Sequence, residues 1–210
     1  YGVVILIVAI LASRWAFGLQ WLPAGRMQAG LVVDGEWWRA VTALTLHLDA
    51  GHITANLVFG VVFGLLAGQA LGGGVAWLAI VVAGTLGNLL NAFVQSPGHS
   101  SIGASTAVFA ALGIIVSHAL RHWSMVPGNS LRRWSPLIGG VLMLAYTGTG
   151  GERTDIVAHL TGFIAGLVIG WIGCRVPAEW LSSGQIQKRA GWGAIALVLI
   201  AWARGLAVAG

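Results

Sequence analysis

Long apolar runs with almost no charges recur from one end of the sequence to the other. A run of about 20 apolar residues is long enough for a helix to cross the hydrocarbon core of a bilayer. Only 8% of the residues are charged, whereas a soluble domain carries about 25%. Such a chain cannot cover a water-facing surface, so the sequence predicts an all-α polytopic membrane protein.

The apolar runs predict a bundle of about seven transmembrane helices in a single membrane domain. Glycines are frequent inside these runs, where small residues let membrane helices approach closely. The connection at 18–51 is rich in tryptophan and arginine, which favours an interfacial loop in the lipid headgroup layer. The domain covers residues 1–210, with spans at about 1–17, 52–71, 75–94, 103–120, 136–147, 156–174 and 190–208.

The first and fifth spans depart from this pattern. The first begins at Tyr1, inside an apolar run and without an initiator methionine, which predicts that further sequence preceded it. The fifth, at 136–147, is shorter than a membrane-crossing helix requires. We therefore expect the fifth span either to cross the membrane only with help or to be loosely held.

The charge distribution predicts the orientation of the bundle. The chain holds 11 lysines and arginines against 6 aspartates and glutamates. In a membrane protein this excess belongs in cytoplasmic loops, so it does not indicate nucleic-acid binding. Two basic connections, at 121–134 and 175–189, fall on the same side of the membrane and are expected in the cytoplasm. The connection at 18–51 and the break at 96–101 then face outward.

Polar side chains inside spans are costly in lipid and mark candidate functional sites. Ser105 is expected about one turn inside the fourth span, after a glycine- and proline-marked break, and His159 near the start of the sixth. His52 and Asn56, spaced i, i+4, share one face at the start of the second. At about 1.5 Å rise per residue, all four lie within about 6 Å of the outward ends of their spans.

These four residue types suit acyl transfer. A serine hydroxyl needs a base to become a nucleophile, and a neutral histidine can serve. The oxyanion that forms needs hydrogen-bond donors, which a second histidine, an asparagine amide and a backbone N–H can supply. Span six carries a small residue at every fourth position from 158 to 170. This stripe would let the fourth span approach closely and bring His159 against Ser105.

The same residues resemble the motifs of the rhomboid intramembrane serine proteases. Four motifs match in chain order, namely Trp38-Arg39, His47 followed by His52 and Asn56, Gly103-Ala104-Ser105, and Ala158-His159-Leu160-Thr161-Gly162. The resemblance covers most of the chain. It implies a rhomboid-like helical bundle with six core helices and one C-terminal helix, of the bacterial type.

The resemblance also implies a role for each site residue. Ser105 would be the nucleophile and His159 the general base, with no acidic third member. His52 and Asn56 would form the oxyanion hole together with the Ser105 backbone N–H. Phe109 takes the position of an aromatic ring beside the catalytic histidine. From the residues themselves, His47 is interpreted as a structural hydrogen-bonding residue rather than a ligand, and Trp38 and Arg39 as anchors of the interfacial loop rather than substrate contacts. Arg39 has two possible partners there, backbone carbonyls or lipid phosphate.

The implied activity is cleavage of transmembrane segments of other membrane proteins near the outer membrane face. Substrate would enter from the lipid bilayer between spans two and five, with the segment at 148–155 acting as a cap. No metal or organic cofactor is expected, because the proposed groups complete the reaction with water. The implied location is a bacterial cytoplasmic membrane with the active site outward. Nothing in the sequence predicts an oligomeric state.

Two departures from the family pattern keep alternatives open. Thr106 stands where the nucleophile motif has glycine, and Ala110 stands where a second glycine is common. Each adds bulk to the contact between spans four and six, unless the small residues of span six compensate. One alternative is a non-catalytic rhomboid-like protein that binds membrane clients or acts in quality control. Another is a proton-coupled transporter, which the lack of deep carboxylates disfavours.

Other polar residues near the proposed site receive structural interpretations. Asp155 is either a triad-like carboxylate for His159 or, as we favour, a solvated cap at the start of span six. His99 is interpreted as an interfacial residue without a special role. Asn88 and Asn91 are expected to form hydrogen bonds between helices.

Overall fold

The computed structural model describes residues 2–124, 130–148 and 154–209, and these residues are helical almost throughout. Two short strands, β1 (Met27–Gln28) and β2 (Ser100–Ser101), pair antiparallel. The helices are α1 (Gly2–Ser13), α2 (Trp21–Gly25), α3 (Ala29–Val33), α4 (Trp38–Thr42), α5 (Ala50–Leu71), α6 (Gly73–Val94), α7 (Ser105–Ser124), α8 (Ser130–Gly148), α9 (Ile156–Gly173), α10 (Ala178–Leu181) and α11 (Gly184–Ala209).

Seven of these helices are long, and together they form the bundle of an integral, multi-pass membrane protein. Within the described residues, α5, α6, α9 and α11 are long and apolar enough to cross a membrane by length and composition. The helix α7 has 20 residues, while α1 and α8 contain shorter apolar stretches. Large apolar side chains such as Leu65, Phe93 and Leu199 are exposed on the bundle surface, as lipid-facing positions require.

The helix α7 lies at the centre of the bundle and contacts α9 backbone to backbone. A β-carbon built on Gly162 would overlap the carbonyl oxygen of Thr106, and one built on Gly166 would overlap that of Ala110. The small-residue stripe of α9 therefore lies against the two positions of α7 that are bulkier than the family pattern. The predicted close approach is confirmed, and the small residues of α9 accommodate the added bulk.

The connection between the first two long helices is folded rather than extended. It contains α2, α3 and α4, and β1 ties it to the segment before α7 through β2. Its side chains Met27, Ala40 and Val41 are completely buried. The interfacial loop predicted at 18–51 is thus a compact layer that packs on the same end of the bundle as Ser105.

Three predicted span boundaries are wrong, for identifiable reasons. The first helix ends at Ser13 rather than at residue 17, because Trp15 and Phe17 adopt left-handed φ angles of 49° and 61°. The last begins at Gly184 rather than at 190, since its polar first turns continue the helix beyond the apolar stretch. Ser105 is the first residue of α7, not one turn inside it, because Gly103 has a φ of +133° that no helix accommodates.

The fifth span also begins earlier than predicted. The helix α8 starts by Ser130, has 19 residues and contains Pro136, at which the prediction placed its first residue. A proline inside a helix removes one backbone hydrogen bond, and here the helix continues through it. The helix is therefore not short, although its apolar part covers only Trp134–Tyr146. Most of the predicted cap at 148–155 lies outside the described residues.

Candidate active site

The Ser105 hydroxyl and the His159 imidazole lie in hydrogen-bond contact. Ser105 Oγ is 2.8 Å from His159 Nε2. His159 is 7% exposed, and its ring lies 4.5 Å between centroids from that of Phe109, one turn beyond Ser105, with the ring planes tilted by 37°. With Nε2 unprotonated, the imidazole can accept the hydroxyl proton, which is the arrangement that activates a serine for attack on a carbonyl.

The backbone before Ser105 depends on a glycine. Gly103 has a φ of +133°, and a β-carbon built on it would lie 2.7 Å from His52 Nε2. Its N–H donates to the Ala43 carbonyl at 2.9 Å, which fixes the turn on the connection between α4 and α5. Only a residue without a side chain allows the imidazole of His52 to approach the turn this closely.

His52 and Asn56 lie on the first two turns of α5, on the same side as Ser105. The Asp49 carboxylate caps this helix by accepting a hydrogen bond from the His52 N–H at 2.8 Å. The Asn56 amide donates to the His52 carbonyl at 2.9 Å, and Asn56 is buried. The structure thus brings an imidazole and an amide to the cavity that contains the Ser105 hydroxyl. Their oxyanion-hole role stays a prediction.

A cavity of about 730 Å³ surrounds these side chains. Ser105 and His159 line it together with polar groups near the helix ends, among them the Arg26 side chain. Apolar walls come from further along α5, where Phe59 and Phe63 lie. A cavity with a polar mouth and an apolar wall can hold an extended peptide whose side chains are mostly apolar.

His47 lies next to the turn before Ser105, beneath the site. The Ala104 N–H points at His47 Nε2 at 3.5 Å, and the His47 and His52 rings are 5.1 Å apart between centroids. Burial, followed by the nearby His52, lowers the pKa of His47 to about 4. The imidazole is therefore neutral at physiological pH and keeps a lone pair for the Ala104 N–H.

Trp38 and Arg39 hold the connection rather than line the cavity. Arg39 Nη1 donates to the Pro23 carbonyl at 2.7 Å and to the Arg26 carbonyl at 3.1 Å, and its Nε pairs with Glu36. Trp38 is buried against α11. These contacts agree with the loop-anchoring interpretation, and among its two options for Arg39 they favour backbone carbonyls as the partners.

The sequence interpretation missed a polar cluster beside the site. His99, interpreted as unremarkable, has Nε2 2.7 Å from Asp155 Oδ2, and Asn91 Nδ2 donates to the same oxygen at 2.8 Å. Asp155 caps α9 as predicted, by accepting from the Ala158 N–H at 3.0 Å, but its side chain is only 14% exposed rather than solvated. The interhelical bonds predicted for Asn91 and Asn88 are present, the latter to the Ala40 carbonyl at 2.9 Å.

Comparison with known proteins identifies the family. The family model for the Rhomboid domain matches residues 34–176, which contain Ser105, His159, His52 and Asn56. This chain belongs to the rhomboid family. The resemblance inferred from the four motifs is confirmed, and the fold is a rhomboid-like helical bundle. The C-terminal helix α11 lies beyond the matched part.

Three relatives illustrate the range of the family. Rhomboid-like protease 2 of Toxoplasma gondii is 30% identical over 162 residues, which cover 76% of this chain and 56% of that protein. RHOMBOID-like protein 5 of Arabidopsis thaliana is 29% identical over 149 residues, or 70% and 48%. Putative rhomboid protease YdcA of Bacillus subtilis is 23% identical over 181 residues, or 82% and 88%. The chain spans about half the length of the first two.

Proposed function

We propose that this rhomboid is an intramembrane serine endopeptidase that cleaves transmembrane segments of other membrane proteins. The 2.8 Å contact between Ser105 Oγ and His159 Nε2 inside an accessible cavity carries this proposal. Several relatives are named as proteases, which supports the same activity. The whole chain acts as one membrane domain in this proposal, and the reaction needs no cofactor.

The proposed chemistry has two stages. His159 takes the proton of the Ser105 hydroxyl as Oγ attacks the scissile carbonyl carbon, and the imidazolium then gives that proton to the departing amine. A water molecule, deprotonated by the same imidazole, cleaves the resulting ester and regenerates the serine. During both stages the negative carbonyl oxygen would accept hydrogen bonds from the Ser105 N–H, from His52 and from Asn56.

The proposed substrate is a membrane-embedded segment that enters from the lipid bilayer. The apolar cavity wall at Phe59 and Phe63 suits a peptide of transmembrane composition. Substrate access is proposed between α5 and α8, because the apolar side chains of α8 are largely exposed at Leu142 and Tyr146. A helix with so little buried surface can move aside at a low free-energy cost.

We also propose that the site faces the outside of a bacterial cytoplasmic membrane. The basic residues Arg121, in the last turn of α7, and Arg175, just after α9, lie at the helix ends opposite to those that carry Ser105 and His159, and basic residues at a membrane surface favour the cytoplasm. A single cysteine introduced at Ser100, beside the cavity, should react with a membrane-impermeant maleimide in intact cells after Cys174→Ser removes the native thiol. Reaction with the maleimide only after cell lysis would indicate that the site faces the cytoplasm instead.

Active-site labelling tests the proposed function directly. The purified protein should react with a fluorophosphonate probe at Ser105, and Ser105→Ala or His159→Ala should each abolish both labelling and cleavage of a transmembrane substrate. Ser117→Ala is the matched control, because Ser117 is a buried serine of the same helix whose hydroxyl bonds to the Leu167 carbonyl at 2.6 Å. We expect this variant to be labelled as the wild type is.

The outcomes separate the proposed function from its alternative. Substrate cleavage that persists in Ser105→Ala would contradict the proposed nucleophile. A folded wild-type chain that neither reacts with the probe nor cleaves any transmembrane substrate would instead favour the non-catalytic, client-binding alternative. In that case co-purification of membrane clients should not depend on Ser105.

A further inference from the structure

The Asp155 carboxylate joins three separate parts of the fold at the end of the bundle that carries Ser105. One oxygen caps the first turn of α9 through the Ala158 N–H. The other accepts from Asn91, in the last turn of α6, and from His99, in the segment between α6 and α7. These partners are 64 and 56 residues away from Asp155 in the sequence.

The hydrogen bonds of Asp155 connect the two chain segments that carry the proposed catalytic groups. On one side, His159 follows Asp155 by one helical turn, and its N–H donates to the Asp155 carbonyl at 3.1 Å. On the other side, His99 lies in the segment that ends at Ser105. The backbone of that segment is fixed to the α2–α3 connection, because the Ala29 N–H donates to the His99 carbonyl at 2.9 Å and β1 pairs with β2.

Burial and charge make the contact stronger than a surface ion pair. The side chains of His99 and Asp155 are only 26% and 14% exposed. Burial alone raises the pKa of Asp155, but hydrogen bonds from the Ala158 N–H, His99, Asn91 and Ser101 outweigh it and lower the pKa below its ordinary value. The group is therefore an ionised carboxylate, and hydrogen bonds to a charged group contribute more than those between neutral groups.

We propose that Asp155 is a positioning residue that sets the distance between Ser105 and His159 by tying the His99 segment to the start of α9. His159 lies between two fixed points of α9. On one side Gly162 and Gly166 hold the helix against α7, and on the other side Asp155 holds the segment before α7. The inference rests on the proposed function, and it assigns to Asp155 a role that needs no contact with substrate.

Loss of the tie should slow catalysis more than it weakens substrate binding. A displacement of about 1 Å between reacting groups can cost about 100-fold in rate. Asp155 also lines the substrate cavity, but its hydrogen-bond partners are the Ala158 N–H, His99, Asn91 and Ser101 rather than the α5 and α7 side chains that line the same cavity. The expected signature is therefore a fall in kcat with little change in KM.

Five variants of the full chain separate the tie from the helix cap. Asp155→Ser keeps a good capping residue but is too short to reach His99 and Asn91. His99→Ala removes the other end of the tie, and His99→Gln retains a side-chain N–H donor. The double variant of Asp155→Ser with His99→Ala measures the coupling. His118→Ala is the matched control, since His118 is an exposed histidine further along α7.

The measurement is kcat and KM for a fluorogenic transmembrane peptide in detergent micelles, with the fluorophosphonate labelling rate alongside. Asp155→Ser and His99→Ala should each lower kcat about 10-fold while KM stays within about twofold. The double variant should be no slower than the slower single variant, because both remove the same contact. His99→Gln should recover most of the lost kcat, and His118→Ala should resemble the wild type.

A purely structural role predicts different results. Losses that multiply in the double variant, an effect confined to KM, or a His99→Gln variant as slow as His99→Ala would each overturn the proposal. Amide hydrogen exchange gives a readout without activity, and we expect faster exchange at 96–104 in both single variants and no change in α11. Unchanged exchange at 96–104 would also overturn it.

The same experiment distinguishes this proposal from the proposed function. A folded wild-type chain that the probe does not label at Ser105 would end both. Normal labelling of the wild type, together with wild-type kcat in Asp155→Ser and His99→Ala, would end only the positioning role and leave the proposed protease intact.

Discussion

The helices α8 and α9 both pack against α7, but they do so in different ways. Against α9, the contact is made by backbone atoms, because β-carbons built on Gly162 and Gly166 would overlap carbonyl oxygens of α7. Against α8, the contact is made by side chains. A β-carbon built on Gly140 would lie 2.6 Å from Val116 Cγ2, and one built on Gly139 would meet nothing within 4 Å.

The difference in burial follows the same division. Eight residues of α9 are buried, including His159, whereas Leu142 and Tyr146 of α8 are 64% and 87% exposed. A contact through backbone atoms has few ways to rearrange, while side chains can change rotamer. The fold thus places the two proposed catalytic groups on a helix pair that is held together by backbone contacts. The helix proposed to move for substrate lies on the less constrained side.

The largest effect is expected from a single added methyl group on the α9 side. Gly166→Ala places a β-carbon on the Ala110 carbonyl oxygen, so α7 and α9 must separate. We expect the free energy of unfolding to fall by about 2 kcal/mol, as for other overpacked contacts. Proteolysis should fall as well, because the separation moves Ser105 from His159. Thermal unfolding in detergent, followed by tryptophan fluorescence, measures the first effect.

The control for that substitution lies on the opposite face of the same helix. Val168 is 55% exposed, so Val168→Ala should leave the unfolding midpoint almost unchanged. If Gly166→Ala had the same unfolding midpoint as Val168→Ala, the contact between α7 and α9 would tolerate an added methyl group. That contact would then be no more constrained than the contact between α7 and α8.

Acid should loosen the start of α7 and leave its contact with α9 intact. The pKa of His47 is about 4 in the folded protein against an ordinary 6.5, so the unfolded chain binds more protons between these values. The stability from neutral His47 is present above pH 6.5 and is lost as the pH falls towards 4. After allowance for solvent screening we expect about 1 kcal/mol. The glycine contacts contain no titratable group.

Unfolding midpoints between pH 7 and pH 4 measure this effect. His47→Gln should flatten the decline in this range, since its side chain does not titrate. The pKa of Asp155 is lowered below its ordinary 3.8, so its contribution is lost only at still lower pH. An equally steep decline in His47→Gln would assign the acid sensitivity to another group.

The long apolar helices could be predicted closely where their ends have local signals. The start of α5 has Asp49 as a capping residue and its end has Gly72 with a φ of +77°. Where the boundary depends on backbone conformation without such a signal, the prediction was wrong. The left-handed Trp15 ends α1 early, and Pro136 does not begin α8. Apolar length marks where a helix can cross lipid, not where the helix ends.

The site also has contacts that could be predicted from the sequence and contacts that could not. The proximity of Ser105 and His159 could be predicted because both lie near the same end of their spans and because α9 carries a small-residue stripe. The contacts of Asp155 with His99 and Asn91 could not, since they join residues 56 and 64 positions apart and follow no helical spacing. His99 precedes α7 in an irregular segment, and sequence periodicity carries no information on its direction.

The smallest effect is expected on α8, and it completes the comparison. Gly140→Ala places a β-carbon near Val116 Cγ2 and, at 3.3 Å, near the Phe163 ring. Both are side-chain atoms that can shift, and alanine favours the helix by about 1 kcal/mol over glycine. The cost of moving these side chains opposes the gain in helix propensity, so the net change in unfolding free energy should stay within about 0.5 kcal/mol. Gly139→Ala, which meets no atom, should be neutral or stabilising.

A loss at Gly140→Ala as large as at Gly166→Ala would show that α8 is held as firmly as α9, and substrate access between α5 and α8 would then need another explanation.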